Sequence, residues 1–133
     1  MSVAVERIDD LRTDQRAGPF WEKCNRAGYI RTAIIVKDAP ACPSKSTAGY
    51  PIDNVNAKKL WGWIQTFRVE AFDPPEGQEI RVDVDTWSLI DGGKRASALY
   101  ALELPVPAIV IENPRKYRSA GELEFSGGMW RWR

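Results

Sequence analysis

The residues best suited to chemistry in this chain lie together in one segment, Asp91-Gly92-Gly93-Lys94-Arg95. The two glycines let a ligand approach the backbone closely, and a helix beginning here would direct unpaired N–H groups and its positive dipole end outward. Lys94 and Arg95 add positive charge at the same place. This combination favours binding of a phosphate or another anion. The structural alternative is an ordinary strand-to-helix turn in which the glycines only make room.

The sequence around the turn predicts the elements that position it. Trp87 to Ile90 is a short apolar run typical of a buried strand. An Ala/Leu-rich helix follows from Lys94 and is predicted to end near Glu103-Leu104-Pro105, because Pro105 cannot continue it. Ser97 lies one helical turn in and could add a hydroxyl to a phosphate site. Val106 to Ile111 predicts a second buried strand. Glu79 to Asp85 alternates apolar and polar residues, which predicts a strand that forms a hairpin with 87–90.

The pattern Asp91-Gly92-x-x-Arg95, followed by an Ala-rich helix and the strand Val106-Pro107-Ala108-Ile109-Val110, resembles the signature of the ParB/sulfiredoxin-like superfamily. The resemblance covers about residues 80–111. It implies a small α/β domain that binds the phosphates of ATP or another nucleoside triphosphate at this turn. It also implies an accessory role in a plasmid or phage context.

The resemblance suggests roles for individual residues. Gly92, Gly93 and the turn amides would hold phosphate, Lys94 and Arg95 would balance its charge, and Asp91 with Arg95 would form the catalytic pair of a weak NTPase. The chain departs from sulfiredoxins at Gly93, where they carry the catalytic cysteine, and this excludes sulfiredoxin chemistry here. The arginine-rich box of chromosome-partition ParB proteins is absent as well.

Three carboxylates occur near the predicted phosphate site in the sequence, namely Asp83, Asp85 and Asp91. Paired carboxylates together with nucleotide phosphates can hold Mg²⁺, which neutralises charge that develops during phosphoryl transfer. The alternative for Asp83 and Asp85 is a solvated strand face. The alternative for Asp91 is a turn-forming side chain.

Composition limits the classes of function. A length of 133 residues predicts one domain, a net charge of +1 gives no general attraction to nucleic acid or membrane, and the absence of histidine excludes His-based catalysis and His-ligated zinc. Cys24 and Cys42 lack metal-ligand spacing, so two free thiols in a cytoplasmic protein are expected. No apolar run predicts a membrane span.

The other segments predict an α/β (α+β) domain with a mixed sheet and packed helices. Residues 1–17 are weakly amphipathic and could form an arm, a strand or a helix. Pro19 begins a short helix that ends near Gly28, and Asp53 caps a helix over about 54–66. Two further strands are predicted, one over Tyr29–Lys37 and one over Arg68–Phe72.

The C-terminal region carries the alternative functions. Residues 125–133 form a Trp/Arg tail that either packs as an edge strand or offers stacking surfaces and cations to single-stranded nucleic acid. A DNA-binding protein or nuclease would use this tail and a nearby basic cluster, specifically Arg115, Lys116, Arg118, Trp130, Arg131, Trp132 and Arg133. A third hypothesis is a non-catalytic interaction or inhibitor protein that acts on a host or replicon protein.

Overall fold

The computed structural model describes residues 4–43, 49–75, 77–112 and 123–132, the last range by its backbone. Within these ranges the chain forms an α+β domain with a four-stranded mixed sheet and four α-helices. The sheet contains β1 (Ala4–Ile8), β2 (Arg81–Asp83), β3 (Leu89–Asp91) and β4 (Ala108–Ile111) in the order β1-β4-β2-β3. β1 and β4 are antiparallel, β4 and β2 are parallel, and β2 and β3 form an antiparallel hairpin. The predicted mixed sheet with packed helices is confirmed.

The helices are α1 (Gly18–Arg26), α2 (Tyr29–Val36), α3 (Asn54–Val69) and α4 (Gly93–Ala101). α4 lies at the centre and packs against both α2 and α3. Its buried positions are occupied mainly by small residues, which allow close approach of the neighbouring helices. Together they enclose a core with fully buried large side chains, among them Phe20, Leu60, Ile64, Val82, Leu99 and Val110.

Several predicted elements are present. The 79–85 and 87–90 segments pair as the β2–β3 hairpin, and the helix after the glycines and the strand before Asn113 are α4 and β4. The cap of α3 is also confirmed, since Asp53 Oδ1 accepts the backbone N–H of Asn56 at 2.9 Å. β3 and β4 are separated by β2 in the sheet, so α4 joins two strands that are not neighbours.

The predicted strand over Tyr29–Lys37 is wrong, because this segment is helix α2. Ile30, Ala33 and Val36 are buried, whereas Ile34 and Ile35 between them are nearly half exposed, which is the three-residue spacing of one helix face. A continuous apolar run is compatible with either a buried strand or a helix, and packing against α4 decides for the helix here.

The predicted strand over Arg68–Phe72 is also wrong. α3 continues to Val69, and residues 70–75 have no regular secondary structure. Val69 is 80% exposed and Phe72 packs against the core, so the segment leaves the helix as an irregular connection that touches the core at one aromatic ring.

The amino-terminal segment belongs to the domain from residue 4 onward, because β1 occupies one edge of the sheet. Asp10 and Leu11 extend its pairing beyond the strand. Asp10 Oδ1 accepts the N–H groups of Val106 at 2.9 Å and Arg12 at 3.0 Å, and the Leu11 N–H donates to the Val106 carbonyl at 2.8 Å. These bonds join two parts of the chain that are far apart in sequence.

The C-terminal tail forms an antiparallel hairpin of β5 (Leu123–Ser126) and β6 (Met129–Trp132), a two-stranded sheet of its own. Within the described residues the tail is therefore a separate hairpin and does not extend the four-stranded sheet as an edge strand. In the described part of the chain, no helix has the length and apolar character needed to cross a membrane.

The thiols are both free, as expected. Cys24 is buried, and this burial raises the pKa of its thiol to about 11, whereas Cys42 is exposed.

We expect Ellman's reagent to label one thiol in the native protein, because only the thiolate reacts and only Cys42 is accessible. In guanidinium chloride two thiols should react. Labelling of two thiols under native conditions would contradict this burial of Cys24.

A second prediction concerns the Asp10 bonds. Asp10→Ala leaves the Val106 N–H without its acceptor, so we expect a loss of about 1–3 kcal/mol in the free energy of unfolding, measured by urea denaturation. Asp9→Ala is the matched control, because Asp9 is the adjacent carboxylate and is exposed. Equal stability of the two variants would show that the Asp10 bonds do not stabilise the sheet.

Candidate functional site

The predicted turn connects β3 directly to α4. β3 ends at Asp91, Gly92 adopts a left-handed conformation with φ of +95°, and α4 begins at Gly93. The Gly92 N–H donates to Asp91 Oδ1 at 2.9 Å, and no side chain caps the helix. The N–H groups of residues 93–95 therefore lie in the first turn, where the helix itself provides no acceptors. The predicted helix N-terminus is present at the predicted place.

The two glycines also have a packing role. A Cβ at Gly92 would lie 3.0 Å from both Cα and Cγ1 of Ile80. A Cβ at Gly93 would lie 2.9 Å from Leu89 Cδ2 and 3.2 Å from the Tyr29 ring. The structural alternative thus accounts for glycine at both positions without a ligand. Substitution of either glycine would disturb packing, so neither is a clean probe of ligand binding.

Arg95 is largely engaged inside the protein. Its side chain is 13% exposed and its guanidinium donates to the Gln78 carbonyl oxygen. It also lies 3.7 Å from Asp91 Oδ2 and 5.9 Å from the centroid of the Trp63 ring. Arg95 therefore holds the segment before β2 against α3 and α4, and part of its charge is balanced by Asp91.

A cleft of about 280 Å³ lies in front of the turn. Residues 89–95 form one wall, and Tyr29, Lys59 and Trp63 from α2 and α3 form the other. Lys94 Nζ is 5.1 Å from the centroid of the Tyr29 ring. The lining thus contains three cationic side chains (Lys59, Lys94 and Arg95) and one carboxylate, Asp91, whose side chain is 57% exposed. The cleft favours an anion with an attached flat or apolar group.

The sequence interpretation missed Tyr29, Lys59 and Trp63. Lys59 and Trp63 are four residues apart on α3 and so share a helix face, a signal available in the sequence but obscured by the more apolar face that packs in the core. Tyr29 begins the segment for which the sequence predicts a strand, and its place beside the turn follows from the packing of α2 on α4. Lys23 also approaches this region, since its ammonium donates to the Leu89 carbonyl at 3.4 Å.

Ser97 does not line the cleft. It is fully buried, and its hydroxyl donates to the Gly93 carbonyl at 2.7 Å, one turn back along α4. Its side chain supports the first turn of the helix from the core side, so the predicted contact between this hydroxyl and phosphate is not provided by the structure.

The three carboxylates predicted as metal ligands are not brought together. Asp91 pairs with Arg81 in the β2–β3 hairpin, and the antiparallel register carries Asp83 and Asp85 away toward the opposite end. Asp83 is 7% exposed and its Oδ1 accepts the Asp85 N–H at 2.9 Å. Among the described residues, no three acidic or cysteine side chains form a group that could hold a metal ion. Of the three, only Asp91 lines the cleft.

The predicted nucleic-acid residues fall at the end of the chain. Arg115, Lys116, Arg118 and Arg133 lie outside the described residues. Trp130, Arg131 and Trp132 belong to β6, for which the backbone is described. Nucleic-acid binding by this strand stays a prediction.

The chain was compared with protein-family models, with curated proteins and with solved structures, and no match was found in any of the three. The geometry of the cleft is therefore the basis on which a function can be proposed.

Proposed function

We propose that this protein binds a nucleotide, ATP or another nucleoside triphosphate, with the phosphates at the start of α4. The observation that carries the proposal is the cleft, which is lined by the first residues of α4 together with Lys59 and two aromatic residues, Tyr29 and Trp63. Backbone donors and a helix dipole favour phosphate, and the ammonium groups supply full charge. The rings of Tyr29 and Trp63 offer apolar surface to the rest of the ligand.

The two lysines approach the cleft from different helices. Lys94 is anchored in the first turn of α4 and contacts Tyr29, whereas Lys59 is exposed on α3 and reaches the cleft from the opposite side. A phosphate between them would be contacted from both walls. Arg95 would hold the turn in place through its contacts with Gln78 and Asp91 and would add positive charge near the phosphate.

We propose binding as the principal function, with weak NTP hydrolysis secondary. Asp91 and Arg95, the predicted catalytic pair, contact each other at 3.7 Å rather than extending separately into the cleft. Asp91 is the carboxylate on the cleft wall that could orient a water or contact Mg²⁺ carried by the nucleotide. Mg²⁺ would then be held mainly by phosphate oxygens.

The ParB/sulfiredoxin-like assignment is part of the same proposal. It is supported by the residues Asp91-Gly92-x-x-Arg95 and by the order of hairpin, glycine turn, helix and strand around them. A role in plasmid or phage maintenance, and action on DNA or on a host or replicon protein, rest on this resemblance and on the basic C-terminal region.

The two lysines provide the test of the proposal. We expect Lys59→Ala with Lys94→Ala to weaken ATP binding by at least about 1.5–3 kcal/mol, the range for one lost charged hydrogen bond. Isothermal titration calorimetry at low salt would measure this. Lys58→Ala is the matched control, since Lys58 is the adjacent exposed lysine on α3 and does not line the cleft. Equal affinities in the wild type and the double variant would refute the proposed site.

The role of Asp91 is tested separately. Asp91→Asn retains an oxygen that can accept the Gly92 N–H but removes the negative charge from the cleft. We expect the variant to bind metal-free ATP more tightly than the wild type and to gain less from added Mg²⁺. A gain from Mg²⁺ that is the same in both proteins would show that Asp91 does not contact the metal ion.

A further inference from the structure

We infer that a second hollow beside the cleft receives the base of the bound nucleotide and prefers bases that carry an exocyclic amino group. The inference rests on the proposed function, because it assigns the part of the same ligand that extends beyond the phosphates. The hollow has a volume of about 150 Å³, which suits one planar ring system. Its walls are formed by the end of α3, by residues 70–75, and by Gln78 and Arg95. The lining residues include Trp63, Phe67, Glu70, Phe72 and Asp73.

The hollow and the cleft share a partition. Trp63 and Arg95 line both of them, and the Arg95 guanidinium lies 5.9 Å from the centroid of the Trp63 ring. A ligand anchored by phosphate at the start of α4 would pass these two side chains on its way to the hollow. A nucleotide has the matching form, with a charged group at one end and a planar ring at the other.

The apolar wall of the hollow is aromatic. Trp63 stacks on Phe67 with ring centroids 5.5 Å apart, and Phe72 meets Phe67 edge-on at 5.3 Å. Phe67 is buried and both neighbours pack against the core, so the rings are held in place without a ligand. Fixed ring faces bind a planar base through stacking and apolar contact.

The two spaces differ in the charge of their lining residues. The cleft is lined by Lys59 and Lys94 with one acidic residue, Asp91, whereas the hollow is lined by two acidic residues, Glu70 and Asp73, and shares Arg95 with the cleft. Carboxylates accept hydrogen bonds and repel phosphates, so they favour a ligand whose far end donates N–H groups. Adenine, guanine and cytosine each carry such an amino group. Hypoxanthine, the base of inosine, has a carbonyl oxygen where adenine has its amino group.

The comparison of ATP with ITP tests this directly, since the two ligands share ribose and triphosphate. For the full chain we expect calorimetry to show ATP binding about tenfold more tightly than ITP and more tightly than inorganic tripolyphosphate.

Glu70→Gln with Asp73→Asn should remove the preference for ATP over ITP while tripolyphosphate still binds. Both side chains are exposed, so the fold should be unaffected. Asp9→Asn, an exposed carboxylate next to β1 at the opposite edge of the sheet, is the control and should retain the preference.

A second variant separates stacking from recognition of the amino group. Phe72→Leu keeps an apolar side chain against the core but removes the ring, and circular dichroism would verify folding. We expect ATP and ITP to lose affinity by the same factor, about threefold or more, with tripolyphosphate unaffected.

The outcomes distinguish the inference from the proposal beneath it. If tripolyphosphate and ATP bind the wild type equally well, or if the carboxylate variant keeps its preference for ATP over ITP, the base does not occupy the hollow and the phosphate site stands. If neither ATP nor tripolyphosphate binds at low salt, the proposed function fails and the inference fails with it.

Discussion

The central position of α4 depends on the size of the side chains along its buried face. Gly93, Ala96, Ser97, Ala98 and Ala101 are buried there together with the single large residue Leu99. Small side chains let α2 and α3 approach the helix closely, and close packing is what fills the interior of a domain of this size. The same arrangement brings the first turn of α4 beside Tyr29, Lys59 and Trp63. Core packing and the candidate site are thus consequences of one constraint.

The charges around the turn have distinct tasks because their burial differs. Arg95 is nearly buried and fixes the loop before β2 through the Gln78 carbonyl, with Asp91 and Trp63 as further contacts. Lys59 is exposed and Lys94 is partly exposed, and both line the cleft. A buried guanidinium positions backbone, since its planar donors bind several acceptors at once, whereas accessible ammonium groups remain available to a ligand. The sequence motif alone gives its two cations, Lys94 and Arg95, equal weight and does not include Lys59.

Hydrogen bonds between the residues that follow β1 and the residues that precede β4 stabilise the edge of the sheet formed by β1. Asp10 and Leu11 bind both the N–H and the carbonyl of Val106, just before β4 begins. β4 in turn is paired with β1 and β2, and it is the strand that receives the chain from α4. The amino-terminal segment therefore completes the sheet at the edge next to β4. Of the arm, strand and helix that residues 1–17 could form, the structure shows a strand, β1, over Ala4–Ile8.

The local features that the sequence by itself determined are those carried by a few neighbouring residues. Gly92 and Gly93 determine the turn, Asp53 caps α3, and the alternation over 79–85 predicts one strand of the hairpin. Pro105 prevents α4 from continuing past it, although the helix already ends at Ala101. Each depends on backbone conformation or on a bond within a few residues.

Tertiary structure decided the rest. The apolar run at 33–36 became a helix because α2 packs on α4, and the antiparallel register separated Asp83 from Asp91. The cleft lining includes Tyr29, Lys59 and Trp63, which the sequence does not predict, and excludes Ser97, which it does. Contacts between distant segments depend on how whole elements pack together, and short sequence patterns do not specify that packing.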